Sequence, residues 1–156
     1  MRKKLSIAQI LFSLGAILLP LVDGMFVWRC YTLHQDISQK EMSLQNMMVV
    51  QEIGGGSILY PIFNIVLIIL VLYCVMSLFC EGKFTGKKIT IAIPTVALFL
   101  SFIMIRVADN HHDSFVYNGQ HRNVSVDIGV LAYVELALLI GTVVIECYKQ
   151  IKLSDD

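Results

Sequence analysis

Four stretches of the chain are almost continuously apolar, and polar segments separate them. The stretches run over 5–28, 58–80, 89–108 and 126–147. Each reaches the roughly 20 residues that a helix needs to cross a bilayer. A helix satisfies its own backbone hydrogen bonds in lipid, so it is the expected spanning form. Barrel strands would alternate in polarity over about ten residues, and these runs do not alternate. The intervening segments 31–57, 81–88 and 109–125 are too polar for hydrocarbon. The pattern predicts an all-α integral membrane protein: a single domain over 1–156, with four transmembrane helices in an up-down bundle. The first run follows Arg2, Lys3 and Lys4, as a signal peptide would. It exceeds the usual apolar length of about 7–15 residues and no A-x-A-like site follows, so it is read as a retained helix.

Composition agrees with the pattern. Hydrophobic residues make up 56% and charged residues 15%, and the mean hydropathy is +0.72. A soluble domain carries roughly a quarter charged residues, so part of this surface is expected to face lipid. Intrinsic disorder is excluded on the same grounds. Twelve basic residues balance 12 acidic ones, which leaves no net field to attract nucleic acid.

Basic residues set the expected orientation, because Lys and Arg accumulate on the cytoplasmic side. With the N-terminus inside, that side holds Arg2, Lys3, Lys4, Lys83, Lys87, Lys88, Lys149 and Lys152. The other side holds Arg29, Lys40, Arg106 and Arg122. Both termini are therefore expected in the cytoplasm, with 31–57 and 109–125 as outer loops and 81–88 as an inner loop. Trp28 and Tyr31 are placed at the outer interface, where amphipathic aromatics collect.

In the first outer loop, the segment 35–53 lacks Gly and Pro. Ile37, Leu44, Met47 and Met48 fall near one helical face, which predicts a short amphipathic helix. The second outer loop contains His111, His112, Asp113 and His121. Imidazole and carboxylate groups ligate zinc and copper, and histidine also senses pH. Adjacent ligands do not share a helical face, so a solvated polar loop is the favoured reading, with a metal or pH-sensing site as the alternative. Asn118-Gly119 is a turn signal for a hairpin with Phe115, Val116 and Tyr117 on one arm. Asn123-Val124-Ser125 is a glycosylation sequon that has meaning only in a eukaryotic source.

Inside the spans, Glu135 lies close to the midplane of the fourth. An ionised carboxylate there costs roughly 2.5–3.5 kcal/mol or more, so it is expected to be protonated, paired or in contact with water. Asn64, Ser101 and Thr142 are its expected polar neighbours. Asp23, Arg106 and Asp127, each about one turn inside the outer interface, are expected to form an ion-pair cluster. Gly129, Ala137 and Gly141 recur on one face, interrupted by Tyr133, and suggest close helix packing. Pro20 and Pro94 are expected to kink their helices. The four cysteines do not pair up by predicted location, and Cys80 and Cys147 sit at inner helix ends.

The layout of four spans, inner termini and a larger first outer loop is similar to that of claudin-like proteins. The Trp-Gly-Leu-Trp stretch and paired cysteines of that family's first loop are absent here, and no family is assigned. No catalytic motif is present, and no cofactor is expected. The leading expectation is a non-enzymatic subunit or accessory protein of a plasma membrane or bacterial inner membrane. It would contact the lipid bilayer and a membrane-protein partner or a second copy, through helix faces and the first outer loop. The rival is a small proton- or ion-coupled transporter or channel component centred on Glu135. A membrane enzyme using the outer His and Asp residues ranks last.

Overall fold

The computed structural model describes residues 2–33, 35–50, 56–80, 89–109 and 112–152. In chain order the elements are α1 (Arg2–Leu18), a 3-10 turn (Leu19–Leu21), β1 (Phe26–Tyr31), β2 (Asp36–Met42), α2 (Leu44–Val50), α3 (Gly56–Phe79), α4 (Ile89–Asp109), β3 (His112–Tyr117), β4 (Gln120–Ile128) and α5 (Val130–Lys152). The chain is mostly helical. Four helices contain segments long and apolar enough to cross a membrane: Lys3–Leu21, Tyr60–Phe79, Thr90–Asp109 and Val130–Ile151. Each packs on its sequence neighbour, and α5 closes the ring against α1.

The all-α expectation is corrected by a four-stranded antiparallel sheet at one end of the bundle, in the order β2-β1-β4-β3. Phe26 lies opposite both Met42 and Ile128, and Cys30 lies opposite both Ser38 and Val124. Partners across a ladder share a face. One face therefore gathers Phe26, Trp28, Cys30, Val124 and Val126. Of these, Phe26, Cys30, Val124 and Val126 are buried, and Phe26 and Val126 belong to the same core as the helices. The opposite face carries Arg29, Asn123, Ser125 and Asp127. Between β3 and β4, Asn118 (φ 49°) and Gly119 (φ 74°) are both left-handed. That is the type I′ geometry Asn-Gly favours, and it forms the hairpin the turn signal predicts.

The sheet shortens two of the expected spans. The first run does not stay helical to Trp28. Pro20, which lacks an amide hydrogen, falls in the 3-10 turn that ends α1, Gly24 (φ 110°) turns the chain, and Trp28 lies in β1. At the fourth run, Val126 to Ile128 belong to β4, and α5 begins at Val130. The amphipathic helix expected over 35–53 is also corrected. Asp36–Met42 is a strand paired with β1, and among the described residues of the segment the helical part is Leu44–Val50, with Leu44 and Met47 buried; 51–53 lie outside the described residues. Gly54, Gly55 and the 81–88 loop lie outside the described residues.

The bundle is apolar outside and partly polar inside. On α5 the buried positions are Ala132, Glu135, Leu139, Thr142, Glu146 and Lys149, in alternating steps of three and four. On α1 they are Ser6, Gln9, Ser13 and Ala16, with the same spacing. This is the heptad periodicity of packed helices. Exposed positions instead carry residues such as Leu11, Ile65, Leu72, Phe99, Phe102 and Val144.

Candidate functional site

The polar interior has two parts. At the end that holds the chain termini, α1, α3, α4 and α5 together build a hydrogen-bonded network. The Tyr73 hydroxyl donates to Glu146 Oε1 at 2.8 Å. Gln9 Nε2 donates to Glu146 Oε2 at 3.1 Å and to the Thr142 carbonyl at 3.2 Å. Gln150 Nε2 donates to Glu146 Oε1 at 2.9 Å and to Thr90 Oγ1 at 2.6 Å. Lys149 Nζ donates to Gln9 Oε1, to Ser6 Oγ at 2.8 Å and to Ser77 Oγ at 3.4 Å. Glu146 and Lys149 are 1% and 7% exposed. Charge at such depth is tolerated because each carboxylate oxygen accepts bonds and the ammonium has several acceptors. One level further in, Ser13 Oγ donates to the Gln9 carbonyl at 2.7 Å and lies 3.4 Å from Cys74 Sγ.

The second part is Glu135, two turns of α5 beyond Thr142. It has no exposed surface, and neither carboxyl oxygen has a hydrogen-bond partner. The Ser101 hydroxyl on α4 is directed at it but stays outside normal hydrogen-bond geometry, and it too is without a partner. Of the neighbours expected from sequence, Ser101 alone is brought to the carboxyl. Asn64 instead donates to the Tyr60 carbonyl at 3.0 Å, and Thr142 Oγ1 to the Leu138 carbonyl at 3.0 Å. Both bonds run back one turn along the residue's own helix.

The expected Asp23–Arg106–Asp127 cluster does not form. Arg106 reaches Asp109 at 3.1 Å, one turn along its own helix. Asp127 pairs with Arg29 at 3.0 Å across the β1–β4 ladder. Asp23 Oδ1 accepts the Ser43 amide at 2.9 Å at the start of α2. The strands caused this rearrangement: Asp127 stands on the polar face of a sheet, not on a helix beside α4. The outer histidines are not gathered either. His111 lies outside the described residues. His112 is opposite Ser125 and His121 opposite Val116, at the two ends of β3, and Asp113 takes the other face from His112. No cluster of three metal-ligating side chains occurs among the described residues. Asn123 lies in central strand β4, opposite Tyr31 and Ser114.

The small-residue stripe divides. Gly129 lies where a Cβ would come within 2.1 Å of the Gly24 carbonyl oxygen, and at Gly141 a Cβ would come within 2.7 Å of the Phe12 ring. Both pack within the chain, whereas Tyr133 and Ala137 are exposed. Comparison with protein-family models, with curated proteins and with solved structures finds no match.

The network around Glu146 has a signal in the sequence. Glu135, Thr142 and Lys149 are successive heptad positions, as are Leu139 and Glu146. Extending the Glu135–Thr142 face by one more heptad reaches Lys149, which orientation counting alone assigns to an inner flank.

Proposed function

We propose that the chain is a multi-pass membrane protein with both termini cytoplasmic and the sheet outside, acting as a non-enzymatic subunit or accessory protein. The excess of Lys and Arg around the termini and in 81–88 supports this orientation. The observation that carries the interaction reading is the β3 arm of the hairpin. All six of its residues are exposed, including Phe115, Val116 and Tyr117. Among the described residues β3 is also an edge strand, with no strand paired to its outer side. Native proteins usually cover or blunt such an edge, and strand addition is a common way to occupy one. Arg122 lies 4.4 Å from the Tyr117 ring and stiffens this arm.

A photoreactive side chain placed at Val116 is expected to give a discrete cross-linked product in native membranes. The same group at Leu11, on the lipid-facing side, is expected to give none. Phe115→Asp should abolish the Val116 product. Persistence of that product after Phe115→Asp, or equal labelling from both positions, would count against the reading. The orphaned carboxyl of Glu135 favours a second reading, a proton- or ion-coupled component, and bears on the inference below.

A further inference from the structure

We propose that Glu135 is a proton-exchanging carboxylic acid, reached from the end of the bundle that holds the termini. The inference does not depend on the outer sheet having a partner.

An unpaired carboxylate in an apolar interior carries a large desolvation cost, so the group at this position keeps its proton. A buried polar group without a partner calls for an explanation, and here two face each other, the carboxyl and the Ser101 hydroxyl. Among the described residues of α1, α3 and α4, the buried ionisable side chains are Tyr73 and Cys74. Both lie on the termini side of Glu135 with Glu146 and Lys149.

The surroundings of Glu135 are unequal in its two directions. Toward the termini, Thr142 lies about 10 Å away along the axis, at roughly 1.5 Å per residue, and Ser13 and Cys74 lie on the same side. From there, polar side chains continue through Gln9 and Glu146 to Lys149. Between Glu135 and Thr142 the one buried side chain of α5 is Leu139, which shares the apolar core with Ala16, Leu70 and Ala97. Toward the sheet, the buried side chains among the described residues are apolar except Ser43 at the start of α2: Met104, Ala108 and Phe63, then Met25, Phe26 and Leu44. Water entering from the termini therefore has one thin barrier to pass, and from the sheet several. In the exchange, the carboxyl O–H bond breaks as the proton goes to a water molecule. A proton from solvent then restores the neutral acid, so net charge is unchanged.

The test is infrared spectroscopy of the purified full chain in lipid vesicles after transfer to D2O. Glu135→Gln assigns the band: a protonated-carboxyl C=O stretch present in the parent should be missing from this variant. That band should shift as O–H becomes O–D without global unfolding. Leu139→Ala, which thins the single barrier, should accelerate the shift about tenfold, whereas Met104→Ala on the sealed side should leave it within about threefold. Thr142→Val should slow it, and serves if Leu139→Ala does not fold. The proposal is overturned if Glu135→Gln removes no band, or if the band exchanges only on global unfolding. Equal acceleration by the Leu139 and Met104 variants would overturn the one-sided access.

Discussion

Glu146 and Glu135 lie on the same face of one helix, about three turns apart, and both are sealed from solvent. One is bound by Tyr73, Gln9 and Gln150, and the other by nothing. The contrast shows that burial alone does not assign a carboxylate its role; the donors around it do. Glu146 ties α1 and α3 to α5 by specific bonds, and so fixes how these helices are rotated against each other. Such bonds can select one arrangement among many similar apolar packings. Glu135 imposes no such choice, which leaves its carboxyl free for other chemistry.

Removing Glu146 should produce the largest effect. Glu146→Ala leaves three donors facing a void, and breaking a buried charged network of this kind costs about 3–5 kcal/mol. A large drop in the thermal unfolding midpoint in mild detergent is expected, with partial recovery in Glu146→Gln, whose amide oxygen still accepts. A change too small to measure would remove the distinction between the two carboxylates.

Tyr73→Phe sharpens the comparison by taking away the hydroxyl that donates to Glu146 at little cost in volume. A hydrogen bond to a charged group is worth roughly 1.5–3 kcal/mol, so the loss should lie below that of Glu146→Ala. Combining the two substitutions should cost less than their sum, because they share one bond. Strict additivity in the same unfolding assay would contradict the 2.8 Å contact.

The smallest effect is expected at Glu135. Glu135→Leu breaks no hydrogen bond, and replaces a buried polar group by an apolar one of similar reach. Its unfolding midpoint should be unchanged or raised. The sequence alone suggested the opposite, since Asn64 and Ser101 were expected to lose a partner. A loss as large as that of Glu146→Ala would reveal a bond to Glu135 that this arrangement does not contain.

The four helices were legible because each needs about 20 apolar residues, a signal that few other structures produce. The sheet was harder to read. β1, FVWRCY, continues an apolar run with only Asp23-Gly24 to mark the break. β2, DISQKEM, has little apolar content and depends on β1 for its conformation. β4 does carry a strand pattern: Val124, Val126 and Ile128 alternate with Asn123, Ser125 and Asp127. That alternation merges into the fourth apolar run, and so its last residues read as helix. Glu135 stood out in the sequence as an acid among apolar residues. Its network counterpart did not, because Gln9, Tyr73, Glu146 and Lys149 come from three separate helices and only the heptad phase connects them. The Arg29–Asp127 pair depended on the strands, so once the strands were missed it could not be read.

Gly129 has a mechanical consequence. It is the single residue between β4 and α5. Its amide donates to the Met25 carbonyl at 2.7 Å, and its α-carbon sits so close to Gly24 that no side chain fits. The joint has no clearance and no length of slack. A load placed on the sheet by anything it grips is therefore delivered to the first turns of α5 as a push or twist of the rod itself. Glu135 stands six residues down that rod.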